Sequence, residues 1–399
     1  MEPSLFDPIT LPNGTILRNR LVKSAMSDTL GDGYGNPTPE QGRLYETWDR
    51  GGVAVSVIGE VQGDPRTIEH PGNLVLNPQA DFGAFRALAQ RGQANCAALW
   101  LQLGHAGALT PGWVGMPKGP SALDLDGLRC DALSLSEISA LPDRFARTAR
   151  LAYDCGFGGV QIHAAHGFLL SQFLSPLFNR RQDGYGGSAK NQMRLVIETV
   201  EAVRAGVPEG FPVAIKLNAT DQITGGLTQD GALEVVAALD GRGLDLMEFS
   251  GGTYFPGAPA SSDAVSRGPY FIDFAKMARQ LTTVPLMATG GFKSRMQADA
   301  AIRSGAADLI GLARALVLDP ALPATWKAQG HDPIFPRFEE VHPGGVTAWY
   351  TQRLKAIARG DEGSKTDVSL ADALSALTER TERQKQSLSK RLAQQTTFP

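Results

Sequence analysis

Residues 159–168 read Gly159-Val160-Gln161-Ile162-His163-Ala164-Ala165-His166-Gly167-Phe168. An apolar run of strand length ends here in two histidines and a glycine. Seven further runs of this kind occur, at residues 21–25, 53–58, 97–103, 211–217, 244–249, 284–288 and 309–312. Each is nearly continuous in hydrophobicity, as a strand buried on both faces must be. Amphipathic segments at 135–155, 189–205, 229–239, 271–281 and 294–304 lie between them, several stopped by a glycine such as Gly156, Gly206 or Gly305. Strands that alternate with helices predict an α/β fold with a parallel sheet, and eight strands close a single (β/α)8 TIM barrel. A doubly wound open sheet would need a G-x-G-x-x-G turn near the first strand, and none is there. The barrel is predicted over residues 1–330. Residues 331–399 are predicted as a helical C-terminal extension outside it, with helices at 349–357 and 370–392 and a linker at 361–365.

Composition narrows the function. In 399 residues, 38 Lys and Arg stand against 41 Asp and Glu, a net charge of −3, which argues against a nucleic-acid surface. Cys96, Cys130 and Cys155 form no C-x-x-C pair, so neither a disulfide framework nor an iron–sulfur cluster is expected. No apolar run is long enough for a bilayer, and residues 1–8 lack a basic and apolar leader. A soluble, cytoplasmic protein with no membrane partner is the expectation.

Barrel active sites are built at the C-terminal ends of the strands. His163 and His166 straddle the end of the fourth run. Three apart in a turn, two imidazoles can converge on a metal, or donate two hydrogen bonds to one oxygen. A metal would need further ligands at other strand ends, and none is expected. Gln102 at the third strand end can donate and accept, which suits the edge of an amide-like heterocycle or a plain core position. Lys216 lies inside an apolar run and is costly without an anionic partner. It reads as a Schiff-base lysine, as a cation for a negatively charged cofactor, or as a snorkelling side chain. Gly290 and Gly291, then Ala313 and Arg314, follow the seventh and eighth runs. These loops are the usual phosphate site of a barrel, where backbone N–H groups and an arginine meet the anion.

Taken together, the segments resemble the Old Yellow Enzyme family of FMN-dependent oxidoreductases over roughly residues 5–330. The resemblance is carried by Asn19-Arg20-Leu21-Val22-Lys23-Ser24-Ala25-Met26 and by Gln102-Leu103-Gly104-His105-Ala106-Gly107. It is carried further by His163-Ala164-Ala165-His166-Gly167, Ser171-Gln172-Phe173-Leu174-Ser175-Pro176, Asn179-Arg180-Arg181 and Asp183-Gly184-Tyr185-Gly186-Gly187-Ser188. It implies non-covalent FMN reduced by NAD(P)H. Ser24, Ala25, Met26 and Ser27 would line the flavin, with Glu60 on the second strand where it touches the ring. Gln102 would bond the pyrimidine edge and Lys216 would stabilise the anionic reduced form. Gly290, Gly291, Ala313 and Arg314 would hold the phosphate. His163 and His166 would bind the carbonyl oxygen of an activated alkene, with Phe168 beside it.

Three positions depart from the family's pattern. Phe168 stands where many alkene-reducing members have a proton-donating tyrosine. Ser27 stands for a cysteine or threonine, and Ala313 for a glycine. Tyr254, Tyr34 or water would then supply the proton. Without an acid, the same site would run as a desaturase or a redox-neutral isomerase. A non-catalytic flavin or ligand-binding barrel is the reading from another class. The substrate is expected to be a small molecule, with a homodimer left open.

Overall fold

The computed structural model describes residues 2–125, 127–255, 268–338, 343–361 and 368–395. Eight strands form the barrel: β1 (Leu21–Lys23), β2 (Val55–Gln62), β3 (Ala98–Gly104), β4 (Gly159–Ala164), β5 (Val213–Asn218), β6 (Leu246–Ser250), β7 (Leu286–Thr289) and β8 (Leu309–Leu312). Every neighbouring pair is parallel, and β8 pairs with β1 and β1 with β2, which closes the sheet. All eight runs read from the sequence are these strands. The lower interior is apolar, filled by Val22, Val55, Val57, Trp100, Leu246, Met287 and Leu309. Leu11 and Leu17, from an N-terminal hairpin of Ile9–Thr10 and Ile16–Leu17, pack into the same cluster. The polar layer above it is therefore confined to the C-terminal mouth.

Helices cover the outside. They are α1 (Pro39–Arg50), α2 (Phe82–Gly92), α3 (Leu141–Asp154), α4 (Arg194–Gly206), α5 (Gln229–Leu239), α6 (Ile272–Ala278), α7 (Arg295–Arg303), α8 (Gly345–Arg359) and α9 (Leu370–Gln395). The sequence reading named no helix between the first three strands. The caps of α1 and α2 were visible: Thr38 before Pro39 accepts from Gln41 N, and Asp81 accepts from Ala84 N. The expected helix 135–155 is two pieces. Leu135–Ser139 carries a Ser134/Glu137 capping box, and Pro142 restarts the chain as α3. The segment 189–205 likewise divides at Met193 into Ala189–Gln192 and α4.

The long excursion after β3 folds as a small sheet of Lys118–Gly119, Leu123–Leu125 and Leu128–Ala132 beside the mouth. The C-terminal extension is docked on the barrel. Helix α8 packs against α1, and α9 packs against α8. Gln384 of α9 donates to the carbonyls of Thr29 and Gly31 in the loop after β1, at 3.0 and 2.9 Å. Residues 362–365 of the expected linker, and 256–267 of the loop after β6, lie outside the described residues. Among the described residues, no helix is long and apolar enough to cross a membrane.

Candidate active site

A cavity of about 490 Å³ opens at the C-terminal mouth. The loop after β1 brings Ala25, Met26 and Ser27 to its wall, β2 brings Glu60, β3 Gln102 and β5 Lys216. His163 and His166 close one side, with Tyr254 from the loop after β6. Gly290, Gly291, Ala313 and Arg314 border the other end. Two of the expected residues stand behind the wall. Ser24 is fully buried and bonded to Thr289, and Phe168 is 1% exposed with its ring 4.9 Å from that of His163.

The floor is a hydrogen-bonded chain. Gln102 Nε2 donates to Gln161 Oε1 at 2.8 Å, and Gln161 Nε2 donates to Glu248 Oε2 at 2.6 Å. Glu248 also accepts from Thr289 Oγ1 at 2.7 Å, and Lys216 Nζ lies 3.0 Å from its Oε1. The anion required to keep Lys216 in an apolar run is therefore Glu248. Sequence reasoning missed Glu248 and Gln161, although each is a polar residue inside a buried strand run. The question put to Lys216 would have found both.

The histidines converge because the backbone turns over. Strand β4 ends at Ala164, and His166 takes φ +61°, an uncommon left-handed conformation of the kind that clusters at functional sites. Gly167 follows at φ +79°, and a Cβ there would fall 2.1 Å from Thr253 Oγ1, so only glycine fits. The two rings come to 5.2 Å, nearly perpendicular. Burial, then the charge of Lys216, holds His166 well below its ordinary pKa. His163 is lowered by burial, by His166 and by Lys216. Both imidazoles are thus neutral. His166 Nε2 bonds Ser250 Oγ at 3.0 Å, while His163 Nδ1 is buried without a partner.

The residues present suit a phosphate-bearing aromatic heterocycle such as FMN. Glu60 Oε2 and His163 Nδ1 are buried polar atoms without partners in residues that line the cavity. At the basic end, Gly291 has φ +82° and no room for a Cβ, which would fall 2.2 Å from Gly268 O. Arg314 has no carboxylate partner among the described residues, and its guanidinium lies 5.8 Å from the Tyr350 ring. Tyr350 belongs to α8, so the extension supplies part of the wall, together with Thr347 and Leu354. Nothing in the sequence pattern of that helix announced it.

Residues 4–332 match the NADH:flavin oxidoreductase / NADH oxidase family. The NADH-dependent flavin oxidoreductase iliE of Hypocrea jecorina (strain QM6a) is 35% identical over 353 residues, 80% of this chain and 87% of that protein. The NADH-dependent flavin oxidoreductase nadA of Aspergillus parasiticus is 31% identical over 391 residues, 90% of this chain and 86% of that one. Morphinone reductase shares the fold with a TM-score of 0.72 at 24% identity, covering 84% of this chain and 92% of its own. With its closed barrel and a mouth suited to a flavin, the chain belongs to the NADH:flavin oxidoreductase / NADH oxidase family, and is an FMN-dependent oxidoreductase of Old Yellow Enzyme type that takes its electrons from NAD(P)H.

Proposed function

We propose that the protein reduces a small alkene conjugated to a carbonyl group. The observation that carries this reading is the pair of neutral imidazoles, 5.2 Å apart, at the rim of a cavity floored by Gln102 and Lys216. FMN, when bound, supplies the hydride chemistry, received from NAD(P)H and passed on to the alkene β-carbon. Gly290, Gly291, Ala313 and Arg314 would hold its phosphate, and residues 24–27 its ring. Gln102 spends one N–H on Gln161 and keeps its carbonyl oxygen for a ring N–H. Lys216 offers a cation whose charge Glu248 partly offsets.

His163 and His166 donate to the substrate carbonyl oxygen. Two donors there draw electron density from the β-carbon and stabilise the charge that develops as hydride arrives, worth about 3–4 kcal/mol for each well-placed donor. Phe168 fixes the His163 ring from behind and has no proton to give. Because one pocket carries the histidines, nicotinamide and alkene would use it in turn, in a ping-pong cycle. The same site run in reverse, as a desaturase, is the second reading, and it rests on Phe168.

Anaerobic mixing tests the proposal. NAD(P)H should bleach the yellow protein, and an enone should then restore the colour. A panel of enones that leaves the reduced protein bleached would sink it. The double variant His163→Ala/His166→Ala should lose most of its phenol affinity while keeping its flavin. Unchanged phenol binding would give the pair another role.

A further inference from the structure

We propose that the Glu60 carboxylic acid is the group that protonates the substrate's α-carbon. The inference rests on the alkene-reductase reading and supplies the acid that Phe168 cannot be. Glu60 ends the apolar part of β2 at the mouth, is 6% exposed and lines the cavity. Its Oε1 stands 3.7 Å from His163 Nε2, too far for a hydrogen bond, and its Oε2 is buried without a partner. An acid beside the imidazole that grips a carbonyl oxygen is within reach of the α-carbon, two bonds from that oxygen. Tyr254, the candidate from the sequence, is 69% exposed and packs edge-on against His166, 6.1 Å between ring centroids.

The surroundings keep a proton on Glu60. Ser27 comes from the loop after β1, whose backbone bridges to Gly59. Glu69 comes from the loop after β2, His163 and His166 from the end of β4, Lys216 from β5 and Tyr254 from the loop after β6. Both imidazoles are neutral. Burial raises the Glu60 carboxyl well above the usual carboxylate range, and the neighbouring Glu69 carboxyl, itself raised by burial, raises it further against the opposing pull of Lys216. A carboxylic acid held neutral in an apolar site can donate its proton. In the step itself, the alkene π-bond breaks, hydride from the reduced cofactor forms the β C–H bond, and the Glu60 O–H breaks as the α C–H forms. The carboxylate left behind regains its proton from solvent, past the half-buried Glu69. The cycle consumes one NAD(P)H and one proton per alkene.

Stopped-flow measurement of the two half-reactions on the holoenzyme tests this. In Glu60→Gln, reoxidation by cyclohexenone should slow about 10²–10⁴-fold relative to the wild type, well beyond any change in its FMN content or in its bleaching by NAD(P)H. Wild-type reoxidation should fall as pH rises through the raised Glu60 pKa, and the variant's should be flat. Infrared spectra should show a protonated-carboxyl stretch at neutral pH that disappears in Glu60→Gln. Should that variant lose its flavin, Glu60→Asp keeps the acid but withdraws it by one methylene, and must slow reoxidation while keeping the pH profile. Wild-type reoxidation in Glu60→Gln, a pH-independent Glu60→Asp, or no protonated carboxyl overturns the assignment of the acid alone. A wild type that no enone reoxidises overturns the alkene reading and the acid with it. A collapse of reoxidation in Tyr254→Phe with Glu60→Gln intact gives the role to the tyrosine.

Discussion

Lys23 on β1 is wholly buried and Lys216 on β5 is 2% exposed, yet the two are housed differently. Lys216 points into the barrel mouth, 3.0 Å from Glu248, whose carboxylate also accepts from Gln161 and Thr289. Lys23 points outward, into the layer between sheet and helices. Its Nζ lies 4.4 Å from the Trp48 ring centroid and 5.3 Å from that of Tyr45, and makes one long bond, 3.4 Å, to Val57 O. Burial lowers its pKa to about 7, with the charge of Asp28 acting the other way. A paired lysine at a strand end marks chemistry. An aromatic-lined lysine off the cavity marks a packing compromise, and the two should respond to substitution with opposite signs.

The largest effect should come from Lys216→Met. It strands the Glu248 carboxylate in the barrel interior, at a cost of about 3–5 kcal/mol. Urea denaturation at neutral pH checks the loss. In Lys216→Met/Glu248→Leu both charges leave together, and stability should recover only in part, because Gln161 and Thr289 lose their buried acceptor at about 1–3 kcal/mol each, while flavin retention does not return. If the double variant binds FMN as the wild type does, Lys216 belongs to the packing class and the contrast with Lys23 fails.

Lys23→Met should go the other way. Replacing a buried charge by an apolar side chain of similar volume is neutral to stabilising, by about 1–4 kcal/mol, less the loss of the aromatic contacts. Lys23 has a folded-state pKa of about 7 against 10.5 unfolded, so the unfolded chain binds the extra proton between those values. Wild-type stability therefore gains with rising pH across that window, and the advantage of Lys23→Met should shrink there. Flavin content should not change. A variant destabilised at neutral pH, with no pH-dependent difference from the wild type, would show that the rings hold the ammonium better than its burial implies.

The same pair shows what was legible in the sequence. All eight strands could be read because strands buried on both faces are continuous apolar runs, and Lys216 stood out as a charge inside one. Lys23 also lies inside such a run, at residues 21–25, and drew no question of its own, since a run does not say which of its residues point into the barrel and which point out. Glu248 and Gln161 were missed for a related reason. They interrupt apolar runs, but their partners come from other strands, Gln102 and Gln161 being 59 residues apart in the chain and Gln161 and Glu248 87. The α8 residues at the cavity, Tyr350 among them, are placed by helix docking, on which local periodicity is silent. Phe168 was read beside the substrate oxygen, whereas the turn through His166 carries its ring behind His163.

The smallest effect tests how far the polar floor reaches back toward Lys23. Ser24 follows Lys23 on the chain and faces the opposite way, as strand alternation requires, so that its Oγ lies 2.9 Å from Thr289 Oγ1. Thr289 gives its hydroxyl proton to Glu248, so the proton between Ser24 and Thr289 must come from Ser24. Ser24→Ala then removes one neutral hydrogen bond and leaves Thr289 still donating to the carboxylate, a loss of about 0.5–1.5 kcal/mol. Thr289→Val removes a donor from a buried charge and should cost more, about 1.5–3 kcal/mol. Urea midpoints with unchanged denaturant slopes would rank the two. If Ser24→Ala proves the costlier, Thr289 donates to Ser24 instead, and the carboxylate that holds Lys216 has one donor fewer than its geometry suggests.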